Sequence, residues 1–143
     1  MSRPFGALQV AHQFIESHVR PGAFCIDATA GRGNDTVFLA SLVGETGKVL
    51  AFDIQPEAVE STRALIGERG CSGFARVVLD SHANMARYAA PGSVDCIVFN
   101  FGWLPGADHG VFSHAQSSIP ALEAALEALR PGGVLSAILY SGK

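Results

Sequence analysis

The stretch "AFCIDATAGRGNDTVFLASLV" (23–43) decides the fold, because it joins an apolar strand to a helix through a short glycine-containing loop. Residues 23–27 read as a buried strand that ends in an acid, and residues 35–43 read as a largely apolar helix. Gly31 and Gly33 lie between them, where the backbone can come close to a ligand at the start of the helix. This order of elements predicts the first unit of a parallel α/β sheet.

The rest of the chain repeats the alternation of strand and helix, without internal repeats or a linker. It predicts one domain over residues 1–143, with a doubly wound, mostly parallel Rossmann-like sheet. The chain reverses its direction of travel once, between the third and fourth strands, which predicts the strand order 3-2-1-4-5. Further strands are predicted at 48–54, 74–80, 93–100 and 134–140, and further helices at 6–19, 56–69 and 119–130.

Composition narrows the class of protein. The 143 residues are 48% hydrophobic and 16% charged, as expected for a compact domain, and the net charge of −3 offers no overall attraction to nucleic acid. No apolar stretch approaches the roughly 18 residues of a membrane span, and the N-terminus lacks a secretion-type segment. The three cysteines are widely spaced, and no metal-binding spacing is present. We therefore expect a cytoplasmic protein with reduced thiols, no metal and no membrane partner.

The glycine loop favours a nucleoside cofactor. Asp53 ends the second strand 20 residues after Gly33, where a carboxylate can accept both hydrogens of a ribose diol. The third glycine of a dinucleotide loop would fall at Thr36, which weakens a pyrophosphate interpretation, and no Gly-Lys-Ser/Thr follows. The spacing D-x-T-x-G-x-G instead matches the loop of class I methyltransferases, with Thr29 in the first glycine place. Asp27 suits the positive charge of S-adenosylmethionine better than it suits a pyrophosphate.

A third acid extends this candidate site. Asp80 ends the third strand, where this fold usually receives the adenine amino group of a cofactor, and Ser81 and His82 would lie along the edge of the adenine ring. An ordinary turn at 80–81, and helix capping by Asn34 or Asp35, are the alternatives. The complete set of predicted cofactor-binding residues is Asp27, Thr29, Gly31, Gly33, Asn34, Asp35, Asp53, Gln55, Asp80, Ser81 and His82.

Several motifs resemble the rRNA methylase family. They cover the chain from about residue 7 to residue 140 and read "AHQFI", "IDATAGRGNDTVFLA", "DSHAN", "FNFGWLPGADH" and "LRPGG". The resemblance implies a tRNA 5-(aminomethyl)-2-thiouridine methyltransferase that uses S-adenosylmethionine and binds the tRNA anticodon region to methylate the side-chain amine of the wobble uridine. The family fold has seven strands and continues for several tens of residues beyond the position of residue 143. Strands 6 and 7 are therefore expected to be missing here.

The loop after the fourth strand carries the predicted acceptor chemistry. Asn100-Phe101-Gly102-Trp103 has the form [D/N]-x-x-[aromatic], which methyltransferases acting on amino groups use, with Trp103 where the family often has Tyr. Asn100 would accept hydrogen bonds from the amine and aim its lone pair. Trp103 would stack on a flipped base. Asp108 and His109 are candidates to receive the amine's proton.

Other assignments stay open at this stage. Phe101, Gly102, Trp103 and Arg32 are predicted to bind substrate, although a Pro-Gly turn with Trp103 in the core is the alternative. His12 fits a place near the pocket or on the surface equally well. Competing functions are an rRNA or small-molecule amine methyltransferase, a non-catalytic nucleoside-binding module and, less favoured, an NAD-type oxidoreductase. The apolar edge strand 134–140 suggests a homodimer.

Overall fold

The computed structural model describes residues 6–101 and 119–139, which form a five-stranded parallel sheet covered on both faces. The strand order is β3-β2-β1-β4-β5, and every neighbouring pair is parallel. The predicted fold class and strand order are therefore confirmed. The strands are β1 (Phe24–Asp27), β2 (Lys48–Asp53), β3 (Ala75–Leu79), β4 (Val94–Phe101) and β5 (Leu129–Leu139).

The helices begin and end at the residues that local chemistry favours. Pro56 occupies the first turn of its helix, where a missing N–H costs nothing, and Gly33 stands at the N-cap of the helix after the glycine loop. Gly44 ends that helix. The helices are α1 (Ala7–His18), α2 (Asn34–Val43), α3 (Pro56–Glu68) and α4 (119–128), with a 3₁₀ helix over His82–Arg87 that the sequence pattern did not predict.

The sheet is buried on both faces, because alternate strand residues enter two separate cores. Cys25, Val49 and Cys96 face the core beneath the helices α1, α2 and α3. Their neighbours Ile26 and Leu50 face the opposite core, which the 3₁₀ helix and α4 complete. This two-sided burial explains why the strands read as continuous apolar runs.

The start of β5 differs from the prediction. Residues 129–133 were expected to finish a helix and form a turn, but they already belong to the strand, which pairs Val94 with Leu129 and then Cys96 with Val134. The bulge between these pairs takes up the Pro-Gly-Gly segment. A Cβ on Gly133 would lie 3.0 Å from the Arg130 carbonyl and 3.1 Å from that of Asp95, so only glycine fits without a shift.

The topology places the carboxyl ends of all five strands along one edge of the sheet. The chain leaves β1 and β4 in opposite lateral directions, which opens a crevice at this switch point. The polar residues singled out in the sequence follow these strand ends. Across the described ranges, no helix combines the length and apolar character needed to cross a membrane.

Candidate cofactor and acceptor site

Two side-chain hydrogen bonds tie the glycine loop to β2 and α3, and a third holds Asp53 itself in place. The Gly31 N–H donates to Asp53 Oδ2 at 3.0 Å, and the Gln55 N–H donates to Asp53 Oδ1 at 3.0 Å. The Thr62 hydroxyl donates to the Gly31 carbonyl at 3.0 Å. Asp53 therefore organises the turn between β2 and α3 and the glycine loop beside it. Its carboxylate is half-buried and can accept more than two hydrogen bonds, so it can still take a diol.

Glycine stands at positions 31 and 33 of the loop for two different structural reasons. Gly33 adopts a φ of +93°, and a Cβ there would lie 3.0 Å from the Thr62 Cα of the packed helix. Gly31 adopts a φ of +57°, but a Cβ there would meet only the Thr29 carbonyl, at 4.0 Å. Gly33 is required by the packing of the loop on α3. Gly31 instead leaves room at the carboxyl ends of the strands, as a site for a nucleoside cofactor requires.

Replacement of Gly33 by alanine is expected to lower the free energy of unfolding by about 2–4 kcal/mol, because strained backbone and overpacking against Thr62 add together. Gly67→Ala is the matched control, since Gly67 lies inside α3 with open space around it. That variant should gain about 0.5–1 kcal/mol. Urea denaturation of both variants measures the difference, and equal stabilities would contradict the packing argument.

Asp27 lies inside the protein rather than on the site's surface. It is fully buried; its Oδ2 accepts from the Thr36 hydroxyl at 2.6 Å and its Oδ1 from the Thr29 N–H at 3.1 Å. Burial raises the pKa of Asp27 to about 7, and the negative charges of Asp35 and Asp53 add to the effect against those two hydrogen bonds. Asp27 therefore shapes the loop from within, and its predicted contact with a sulfonium ligand stays a prediction.

Asp27 should make stability depend on pH. The folded protein keeps this proton up to about pH 7, whereas the unfolded chain releases it near the ordinary pKa of 3.8. The stability that Asp27 contributes is therefore complete below about pH 4 and is lost as the pH rises through 7. Asp27→Asn has no carboxyl group at this position and does not show that loss. The free energy of unfolding of the variant minus that of the wild type should therefore rise by a few kcal/mol between pH 4 and 8, since each unit of pKa shift corresponds to about 1.4 kcal/mol.

Urea denaturation at several pH values tests this expectation. Glu60→Gln is the control, because it removes a carboxylate from an exposed position of α3. A stability difference between Asp27→Asn and wild type that does not change with pH would contradict the burial argument.

Asp80 is held as a carboxylate beside the end of β3. Its Oδ2 accepts from the Tyr88 hydroxyl at 2.6 Å, and its Oδ1 accepts from Asn84 Nδ2 at 2.8 Å and from the Ser81 N–H at 2.7 Å. The hydrogen bond from Tyr88 and then those from Asn84 and Ser81 lower the pKa of Asp80. Its backbone N–H also donates to the Asp53 carbonyl at 3.0 Å, so the two acids lie at adjacent strand ends.

The two residues after Asp80 already have structural roles. The Ser81 hydroxyl accepts from the Ala83 N–H at 3.1 Å and so caps the 3₁₀ helix. The His82 ring is hydrogen-bonded through Nδ1 to the Ala28 carbonyl, 2.9 Å away, in the loop after β1. The His82 contact joins the ends of β1 and β3. A ligand contact from either side chain stays a prediction.

Asn100 stands at the end of β4 and is held from two sides. Its backbone N–H donates to the Thr29 hydroxyl at 2.6 Å, and its side-chain Nδ2 donates to Asp35 Oδ2 at 3.3 Å. Thr29, which lies in the glycine loop, thus ties that loop to the end of β4. Asp35 is buried in the first turn of α2 and faces Asn100 rather than the solvent.

The remaining predicted site residues are placed as follows. Arg32 and Asn34 are exposed in the glycine loop and its following helix, and Gln55 is exposed just after β2. Phe101 is the last residue of β4. Gly102, Trp103, Asp108 and His109 lie outside the described residues.

Sequence reasoning missed four residues that hold the candidate site together by hydrogen bonds. Each of them donates a hydrogen bond to a residue that the motifs had identified. The donors are Thr36 to Asp27, Thr62 to Gly31, and Asn84 and Tyr88 to Asp80. Thr36 had a local signal, because it lies only nine residues after its partner Asp27, in the first turn of the helix. Thr62 had none, since it lies 31 residues after its partner Gly31.

Possible metal ligands and the three cysteines in the described part of the chain bear on two further kinds of chemistry. Residues 6–101 and 119–139 contain no group of three His, Cys, Asp or Glu side chains that could hold a metal ion. All three cysteines are free and buried, and Cys96 lies inside β4 with no exposed surface. The pKa of Cys25 is raised by its contact with Cys96 and by burial, so this thiol is not an activated nucleophile.

Comparison with known sequences identifies relatives. The family model described as "Putative rRNA methylase" matches residues 49–143. A chloroplastic tRNA (mnm(5)s(2)U34)-methyltransferase of Arabidopsis thaliana is 34% identical over 148 residues, which cover 95% of this chain and 53% of that protein. The chain spans about half the length of the curated relatives it matches.

Solved structures agree with this result. A "putative rRNA-methylase" from Clostridium thermocellum superimposes with a TM-score of 0.86 at 34% identity, covering 99% of this chain and 73% of that one. A "putative methyltransferase" from Streptococcus mutans, in complex with SAH, gives a TM-score of 0.81 at 31% identity, covering 96% and 74%. The sheet order and the glycine loop are thus those of a methyltransferase fold, and the chain belongs to the rRNA methylase family.

Proposed function

We propose that this chain is an S-adenosylmethionine-dependent methyltransferase that acts on the side-chain amine of 5-aminomethyl-(2-thio)uridine at the wobble position of tRNA. One observation carries the proposal. The hydrogen bond from the Asn100 N–H to the Thr29 hydroxyl joins the cofactor loop directly to the strand end predicted to hold the acceptor. This bond would bring the methyl group of the cofactor close to the acceptor amine of the substrate.

The cofactor side fits a nucleoside with a ribose diol. Asp53 presents a half-buried carboxylate at the end of β2, and Asp80 presents an ionised one at the end of β3. Gly31 leaves open space beside them. The S. mutans relative in complex with SAH supports this assignment. S-adenosylmethionine, when bound, supplies an electrophilic methyl group.

The acceptor side requires a group that can orient a neutral amine. The amide nitrogen of Asn100 faces Asp35, which leaves the amide oxygen as the acceptor for an N–H of the substrate. The amine's lone pair then points to the methyl carbon for direct in-line transfer. Asp108 or His109 would take up the released proton. The name of the A. thaliana relative supports tRNA as the substrate, and the anticodon region and a homodimer belong to the same proposal.

A thermal-shift panel tests the cofactor. SAH at about 100 times its Kd should stabilise the chain by about 2.7 kcal/mol, whereas NAD at the same concentration should not. Transfer of labelled methyl to tRNA, with rRNA and a small amine as controls, then tests the substrate. Stabilisation by NAD alone would overturn the assignment, and SAH binding without transfer to any acceptor would favour a nucleoside-binding module.

A further inference from the structure

The described residues contain a chain of contacts that begins on α1, far from the loop motifs, and ends on Asn100. The His12 ring stacks on Phe38, with centroids 3.8 Å apart and an interplanar angle of 7°. Its Nε2 lies 2.7 Å from Asp35 Oδ1. The other oxygen of Asp35 accepts from Asn100 Nδ2 at 3.3 Å. Asp35 therefore bridges a histidine and the amide predicted to hold the substrate.

The chemistry of these groups fixes their orientation. An ionised carboxylate only accepts hydrogen bonds, so both of its partners must donate. The His12 ring then carries a proton on Nε2, and Asn100 must turn its nitrogen, not its oxygen, toward Asp35. Asp35 is about 10% exposed at its side chain and His12 about 28%, so the link between them is shielded from water. Buried polar groups with satisfied partners hold one geometry.

We propose that His12 and Asp35 are positioning residues, which lock the Asn100 amide so that its oxygen faces the acceptor amine. This inference rests on the proposed function, because it gives Asn100 the role of aiming that amine. Without Asp35 the amide could rotate by 180° and present its nitrogen, which would repel an amine N–H. Without His12, Asp35 would lose the partner that holds its carboxylate. His12 thus gains a role that its position in the sequence left open.

Kinetics separate this role from a structural one. His12→Phe keeps an aromatic ring on Phe38 but removes the donor to Asp35, so it should lower kcat for tRNA methylation roughly tenfold. The KM for S-adenosylmethionine should stay within about twofold, because no cofactor contact is lost. His18→Phe is the matched control, since His18 is exposed on the same helix and its hydrogen bonds to described residues stay within that helix. Partial recovery of kcat is expected in His12→Gln, whose amide can donate to Asp35.

A double-mutant cycle tests whether His12 acts through Asn100. The variant His12→Phe/Asn100→Ala should be no slower than Asn100→Ala alone, because the amide that His12 positions is then absent. If the two substitutions lowered kcat by factors that multiply in the double variant, the proposal would be overturned. It would also be overturned if His12→Phe changed only the KM for S-adenosylmethionine and left kcat unchanged.

An NMR measurement keeps the inference distinct from the proposed function. The chain has only three asparagines, at 34, 84 and 100, so the side-chain amide signals of Asn100 can be assigned from their loss in Asn100→Ala. These signals should shift in His12→Phe and in Asp35→Asn but not in His18→Phe. Unchanged Asn100 signals in His12→Phe would overturn the positioning role even if the chain methylates tRNA. Shifted signals in a chain that methylates no tRNA would support the positioning and refute the function.

Discussion

Asn100→Ala is expected to lower the turnover of tRNA methylation by about 10²–10³-fold while leaving the affinity for S-adenosylmethionine nearly unchanged. Asn100 would contact the amine and help to orient it for attack, so its loss raises the barrier to transfer rather than weakening cofactor binding. The backbone bond from residue 100 to Thr29 survives the substitution, which should preserve the loop. Steady-state kinetics with tRNA and calorimetry with SAH measure the two effects separately.

Gln13→Ala is a suitable control for this experiment, because Gln13 is exposed on α1 and lies outside the proposed site. Its turnover and cofactor affinity should equal those of the wild type. If Asn100→Ala lost cofactor affinity in proportion to its turnover, Asn100 would belong to the cofactor pocket, and the proposed acceptor role would be wrong.

Asp53→Ala is expected to weaken binding of S-adenosylmethionine roughly 100-fold or more. Two hydrogen bonds from a ribose diol to a charged carboxylate contribute about 1.5–3 kcal/mol each. The substitution also removes the acceptor of the Gly31 and Gln55 N–H groups, so the unliganded protein should lose about 1–2 kcal/mol of stability. Calorimetry with SAH measures the affinity, and urea denaturation of the unliganded variant measures the stability.

The two consequences of Asp53→Ala can be told apart. Thr62→Val removes the other side-chain bond to Gly31 while leaving the carboxylate in place. That variant should show the stability loss with only a small loss of affinity. Glu57→Ala, in the first turn of α3, controls for removal of a nearby negative charge. Unchanged SAH affinity in Asp53→Ala would remove this residue from the cofactor site.

The order of elements was predictable because each depends on neighbours in the sequence. Apolar runs bounded by glycine, proline and acids indicate the strands and helices, and one change of direction gives the sheet order. The predicted start of β5 was wrong, because it was also judged from neighbours in the sequence alone. Pro131, Gly132 and Gly133 look like a helix stop, and only the pairing of β5 with β4 shows that they form a bulge.

The candidate site was predictable only in part, because its motifs name residues and not their partners. The motif indicated Asp27 but neither its complete burial nor its bond from the Thr36 hydroxyl, and its contact with a ligand stays a prediction. The bond between Asn100 and Asp35 joins residues 65 positions apart, and that between His12 and Asp35 joins residues 23 apart. Such pairings depend on how the strands and helices pack against one another, and no local sequence pattern predicts them.

We propose that the chain methylates an amine on the wobble uridine of tRNA. The most direct test of this proposal incubates the chain with S-adenosylmethionine and tRNA carrying 5-aminomethyl-2-thiouridine, followed by mass spectrometry of the released nucleosides. We predict one added methyl group on the side-chain amine, and none when Asn100→Ala replaces the wild type under the same conditions. A methyl group on a ring carbon or on a ribose hydroxyl, with the side-chain amine unmodified, would contradict the account.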